Sequence, residues 1–110
     1  MKNTFFTDAN KILAEYDCKP CKYLSYTMQI QTKYGLLYIK VDPETMNSKL
    51  FSIYMMFDNE GFNKDEFMRA FLTDNFNHHS YKWNIHTRNS DIAIQTLENR
   101  LEGLTYPIAI

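Results

Sequence analysis

The 110-residue chain is of single-domain length, and an apolar fraction of 45% is enough for one compact core over residues 1–110. Acidic and basic residues nearly cancel, to a formal net charge of -1. That balance excludes a strongly basic nucleic-acid binder and an acidic mimic of DNA, and leaves room only for a local basic patch.

No apolar run approaches the ~20 residues needed to cross a bilayer, and the opening MKNTFFTDANKIL does not read as a signal peptide. The expected location is therefore cytoplasmic, without membrane partners. The two cysteines should stay reduced there unless they bind metal or do redox work.

Thr7 or Asp8 can cap a first helix with Ala9, Ile12, Leu13 and Tyr16 on its apolar stripe. That helix stops before DCKPCK, where Pro20 cannot continue it. From Tyr23 the period becomes two: Leu24, Tyr26, Met28 and Ile30 alternate with polar residues, as in a half-buried strand. TKYG turns the chain, with Gly35 available for a positive φ. LLYIKV follows as a second strand with Leu37, Ile39 and Val41 on one face.

After the polar loop DPETMNS, KLFSIYMMF forms a third strand, pointing Phe51, Ile53, Met55 and Phe57 one way. These three segments predict an antiparallel meander. Asn63 and Glu66 then make a capping-box pattern for a second helix that buries Phe67, Ala70 and Phe71, with Phe76 beyond it. NHHS is a loop. In YKWNIHT, Tyr81, Trp83 and Ile85 alternate with Lys82, Asn84 and His86. Ser90 caps a last helix lined by Ile94, Leu97, Leu101 and Leu104, with Gly103 near its end. The expected class is α+β in the order α-βββ-α-β-α, a four-stranded, mostly antiparallel sheet with its helices packed on one face.

Several clusters carry chemistry. Cys18 and Cys21 have the spacing of a zinc or redox pair. The intervening Pro resembles the thioredoxin motif, but here the pair follows a helix and precedes a strand, the reverse of the order that activates a thiolate. A tetrahedral zinc set of Cys18, Cys21, His79 and His86 is one alternative, with zinc the only cofactor to consider. Its competitor is two reduced cysteines at a turn.

His78, His79 and His86 could do acid–base work with Asp74 or Asp91, yet no nucleophile elbow or phosphate loop accompanies them. Lys82 and Arg88 beside Trp83 and Tyr81 suit nucleic acid, and Lys33, Lys40 and Lys49 would extend the stripe. Trp83 reads more readily as core than as a stacking platform. Tyr26, Tyr34, Tyr38, Tyr54, Tyr81 and Tyr106 are spread over strands and turns. Of these, Tyr38 and Tyr54 fall opposite the apolar faces of their strands, where an uncovered tyrosine favours protein contacts.

Three stretches, QTKYGLLYIKV, IYMMFD and NHHSYKWNIH, resemble a pattern of small uncharacterised bacteriophage and prophage proteins. That pattern has a Thr, a Gly and a hydrophobic strand, then a strand ending Phe-Asp, then Asn-Pro-x-Ser-Gly-Lys-Trp-Asn-x-His. The matching positions are Thr32, Gly35, Leu37, Phe57, Asp58, Asn77, Ser80, Lys82, Trp83, Asn84 and His86. His78 stands in place of the Pro and Tyr81 in place of the Gly. The resemblance implies a phage or mobile-element origin and no particular reaction.

The resulting expectation is a non-enzymatic accessory protein in the cytoplasm of a bacterial host. It would bind a host protein through Tyr38, Tyr54, Lys82, Asn84 and His86, for example as an anti-CRISPR-like inhibitor of defence. A nucleic-acid-binding domain using the Lys82–Trp83 strand is the second reading. A zinc-stabilised or metal-dependent domain is the third.

Overall fold

The computed structural model describes residues 4–42, 50–71, 76–77 and 79–105. Lys49, Asp74, His78 and Tyr106, together with the loop over residues 43–49, lie outside the described residues. The elements in chain order are α1 (Phe5–Glu15), β1 (Lys19–Pro20), β2 (Thr27–Thr32), β3 (Gly35–Val41), β4 (Phe51–Phe57), α2 (Lys64–Phe71), β5 (Ile85–Thr87) and α3 (Ser90–Thr105). The strands form one sheet in the order β1-β2-β3-β4-β5, and every neighbouring pair is antiparallel. The class is α+β as expected, with the last strand on the free edge of β4.

The expected four strands are corrected to five. Lys19 and Pro20 pair with Gln29 and Met28. Two residues are too few to show a period of two, which is why DCKPCK hides a strand. Pro20 is tolerated because β1 is an edge, where a missing N–H breaks no ladder toward a further strand.

The first predicted strand is also shortened. It begins at Thr27, and Tyr23, Leu24 and Tyr26 are exposed instead of alternating into the core. Residues 21–26 must turn the chain back from β1 to β2. Tyr26 does so at φ 56°, a left-handed conformation that interrupts regular strand alternation. Tyr26 instead sets its ring against Phe6 of α1 at 5.8 Å.

Helix starts move by a few residues. α1 begins at Phe5, and its apolar stripe gains that residue ahead of Ala9 and Leu13. Asn63 caps α2 as expected, accepting from the Glu66 N–H at 3.2 Å, but the expected return bond to Glu66 is replaced by one from the Asn63 N–H to the Tyr34 carbonyl; Phe67 is buried, but Ala70 is exposed. The cap of α3 is Asn89, not Ser90: its Oδ1 accepts from the N–H groups of Asp91 and Ile92.

Register settles the two faces of the sheet. Leu37 lies opposite Phe57, Ile39 opposite Met55, and Val41 opposite Ile53, which in turn pairs with Ile85. All seven are buried, in one cluster with Ala9 and Leu13 of α1, Phe67 of α2 and Leu97, Leu101 and Leu104 of α3. The helices therefore share one face of the sheet. Among the described residues no helix covers the other.

Candidate functional site

The uncovered face is built by the residues that alternate with the core. One row across the sheet runs Lys82, Met56, Tyr38, from the bridge of Lys82 to Met56 and the pairing of Met56 with Tyr38. The next row runs Asn84, Tyr54, Lys40, Thr27. Residues 21–26, having left the sheet at β1, fold Leu24 and Ser25 up as a wall beside Thr27. Together these side chains line a depression of about 320 Å³. Most of its surface is apolar, from the tyrosine rings, Met56 and Leu24. Tyr54 and Met56 are exposed at 37% and 39% and lie side by side with Tyr38 and Leu24, so the apolar surface is grouped and not scattered.

Four of the five residues expected to bind a partner, Tyr38, Tyr54, Lys82 and Asn84, thus line one depression. The fifth, His86, lies beside it: its ring meets Tyr54 edge-on at 5.5 Å. The His86 Nδ1 is 3.0 Å from the Ser52 Oγ. A serine and a histidine at that distance have the reach of a nucleophile and its base. Here Ser52 is buried and directly opposite His86 on the neighbouring strand, so cross-strand pairing alone produces the contact. No described carboxylate hydrogen-bonds the other ring nitrogen to orient it.

Lys82 and Asn84 are aimed at the open face by the two residues between and behind them. Trp83 pairs with Met55 and points to the helix side, where it is 4% exposed. Its carbonyl oxygen does not return the ladder bond to Met55. It accepts instead from Arg100 Nη1 of α3, whose guanidinium carbon lies 3.9 Å from the centre of the Trp83 ring. The Met55 N–H donates at 3.0 Å to the Asn84 side-chain oxygen, which replaces the missing carbonyl. Burial lowers the Arg100 guanidinium to about 10, still far enough above neutrality to keep it a cation. Sequence reasoning missed Met56 on the floor of the depression and Arg100 beneath the strand that carries Lys82. Nothing about an arginine on an amphipathic helix marks it as reaching a tryptophan 17 positions earlier.

Nucleic-acid binding through the Lys82–Trp83 strand loses its stacking residue, because Trp83 is in the core with Phe67 and Phe71 edge-on at 5.0 and 4.9 Å. Tyr81 is also turned inward, against Phe62. The loop before them is held by Asn77, whose side-chain oxygen accepts from the N–H groups of His79 and Ser80. Ser80 does not share that work; its buried hydroxyl, like the Trp83 indole nitrogen, has no hydrogen-bond partner among the described residues.

The four candidate zinc ligands are not brought together. Cys18 and Cys21 flank β1 at one edge of the sheet and His86 sits on β5 at the other, four strand spacings or about 19 Å away. No group of three or more His, Cys, Asp or Glu side chains suited to a metal occurs among the described residues. Cys18 is buried, and that burial, with the Asp17 carboxylate beside it, pushes its thiol up to about 11. A thiol so placed is a poor nucleophile and a poor metal ligand at neutral pH.

Several positions of the phage-like pattern have a structural task. Thr32 Oγ accepts from the N–H groups of Tyr34 and Gly35 and donates to the Gly35 carbonyl at 2.7 Å, closing the hairpin. Asp58 Oδ1 accepts from the Glu60 N–H after β4. Tyr81, where the pattern has Gly, adopts φ 56°. The chain matches no protein-family model, no curated protein and no solved structure. No described helix is long and apolar enough to cross a membrane.

Proposed function

We propose that this protein works by binding another protein through the open face of its sheet, and not by catalysis. The observation that supports this reading is the uncovered depression, where Tyr38, Tyr54 and Met56 offer apolar area between Lys40 and Lys82. Tyrosine adds contact area at low entropic cost and keeps a polar tip for the rim. The concrete form of the proposal is a phage or mobile-element accessory protein acting in the cytoplasm of a bacterial host, as an inhibitor of a defence system in the manner of an anti-CRISPR. Small size and the pattern shared with phage proteins support that form by analogy.

The test is capture from bacterial lysate by the tagged protein, with nuclease treatment, alongside a Tyr38→Ala/Tyr54→Ala variant. One stoichiometric host protein should survive nuclease with the wild type and be absent with the variant. Retention of that protein by the variant would remove the open face from the proposal.

One observation favours nucleic acid as a second reading: Lys40 and Lys82 lie on the same face as Tyr38 and Tyr54, charge beside rings. In that case every partner is lost on nuclease treatment, and affinity for a single-stranded oligonucleotide falls steeply with salt.

A further inference from the structure

The open face also says what its occupant should carry. Among the described residues, Lys40 and Lys82 are the only charged side chains lining the depression, and no described carboxylate lines it. Neither lysine forms an ion pair among the described residues; the one that occurs is between Lys19 and Asp17, on the β1 edge. The remaining polar groups can donate hydrogen bonds to an anion, the hydroxyls among them accepting as well. They include the Tyr38 and Tyr54 hydroxyls and the Asn84 amide, whose oxygen is already committed to the Met55 N–H. A cationic rim around an apolar floor complements an occupant with anionic ends and an apolar middle.

The sheet also sets the spacing. Lys82 and Lys40 stand in adjacent rows, two strands apart. Strand spacing and rise put their Cα atoms on a diagonal of about 12 Å. Along an extended peptide, side chains i, i+2 and i+4 point the same way and span about 13 Å. A polynucleotide would need a longer basic track than two lysines in a chain of net charge -1.

We infer that the open face docks an extended segment of a partner protein that presents an acidic residue, an apolar or aromatic residue and a second acidic residue at alternate positions. The apolar side chain enters the depression over Met56 and Tyr54. The two carboxylates pair with Lys40 and Lys82. This rests on the reading that the open face is the binding surface, and it adds the partner's chemistry.

The probe is the capped peptide Gly-Asp-Ser-Phe-Ser-Asp-Gly, titrated into the full-length isotope-labelled protein by NMR, with a control peptide in which both Asp are Asn. Amides around Tyr38, Lys40, Tyr54 and Lys82 should shift. The control should bind at least tenfold more weakly, and Lys40→Gln/Lys82→Gln should weaken the Asp peptide by as much with an unchanged melting temperature. Equal binding of both peptides, shifts elsewhere, or no shift at millimolar peptide overturns the inference. So does tighter binding of a single-stranded oligonucleotide at the same residues.

The two levels separate in partner capture. If the tyrosine pair variant loses the partner while the lysine pair variant keeps it, the surface stands and the acidic segment falls. If both keep it, the surface itself is wrong.

Discussion

Arg100 places its guanidinium over the buried Trp83 ring and donates to the Trp83 carbonyl, while the Asn84 side chain stands in for that carbonyl in the ladder. Three side chains thus fix the strand that carries Lys82. Trp83→Ala should cost ~3–5 kcal/mol in urea unfolding, the range for truncating a buried aromatic residue. A loss near zero would mean that the ring is not in the core. Asn84→Ala should cost about 1–3 kcal/mol, because it leaves the Met55 N–H without an acceptor inside the sheet. Asn84→Asp, which keeps the oxygen, should recover most of that. The WN pair was legible as an inward–outward alternation. That the asparagine repairs a ladder bond was not, since the need for repair arises from an arginine on a different element.

At the scale of elements, the β2–β3 hairpin and the α1–β1 junction each make a measurable prediction. Gly35 has φ 144°, and a Cβ there would lie 3.1 Å from the Phe62 backbone Cα, an atom that cannot swing aside. Gly35→Ala should therefore destabilise by about 1–3 kcal/mol, and a calorimetric melt of the variant checks it. The TKYG turn was readable because its glycine allows a positive φ, which Gly35 adopts as the first residue of β3, and Thr32 supplies the hydrogen bonds locally.

At the other junction, Cys18 is folded under the end of α1, its thiol raised to about 11. Between the ordinary thiol range and that value the unfolded chain has released a proton that the folded chain keeps. Stability from this group is complete below the ordinary range and is lost as pH rises through about 11. Cys18→Ala should flatten the fall in stability over that window relative to wild type. In the native protein maleimide should label the half-exposed Cys21 first, and Cys18 only on unfolding. Equal labelling rates would contradict the burial.

Across the whole molecule, the division of the sheet into a helix-covered face and an open one decides which tyrosines can meet a partner. Tyr34 is buried against Phe67 and Phe71, whereas Tyr38 and Tyr54 line the depression. Because those two lie outside the core, Tyr38→Ala/Tyr54→Ala should leave the melting temperature within a few degrees of wild type while abolishing partner capture. A variant that fails to fold would instead place the pair among the residues that hold the sheet together. The same division separates the cysteines from the histidines. Sequence spacing permitted a Cys2His2 set, and five strands in order put its members at opposite edges.

The sequence by itself determined the elements whose signals are local. Periods of two and of 3.6 marked the inward faces of β3, β4 and α3, the capping asparagine marked α2, and the alternation in YKWNIHT separated Trp83 and Ile85 from Lys82, Asn84 and His86. Those signals suffice because a side chain's direction depends only on the dihedral angles of its own segment. Tertiary structure alone decided the rest. The pairing of Lys19–Pro20 with β2, the exposure of Leu24 and Tyr26, the reach of Arg100 to Trp83 and the gathering of Lys40, Tyr54 and Lys82 around one depression all join residues from separate elements. Such contacts depend on strand order and register, which follow from packing the whole chain around one core and leave no periodic trace in any single stretch.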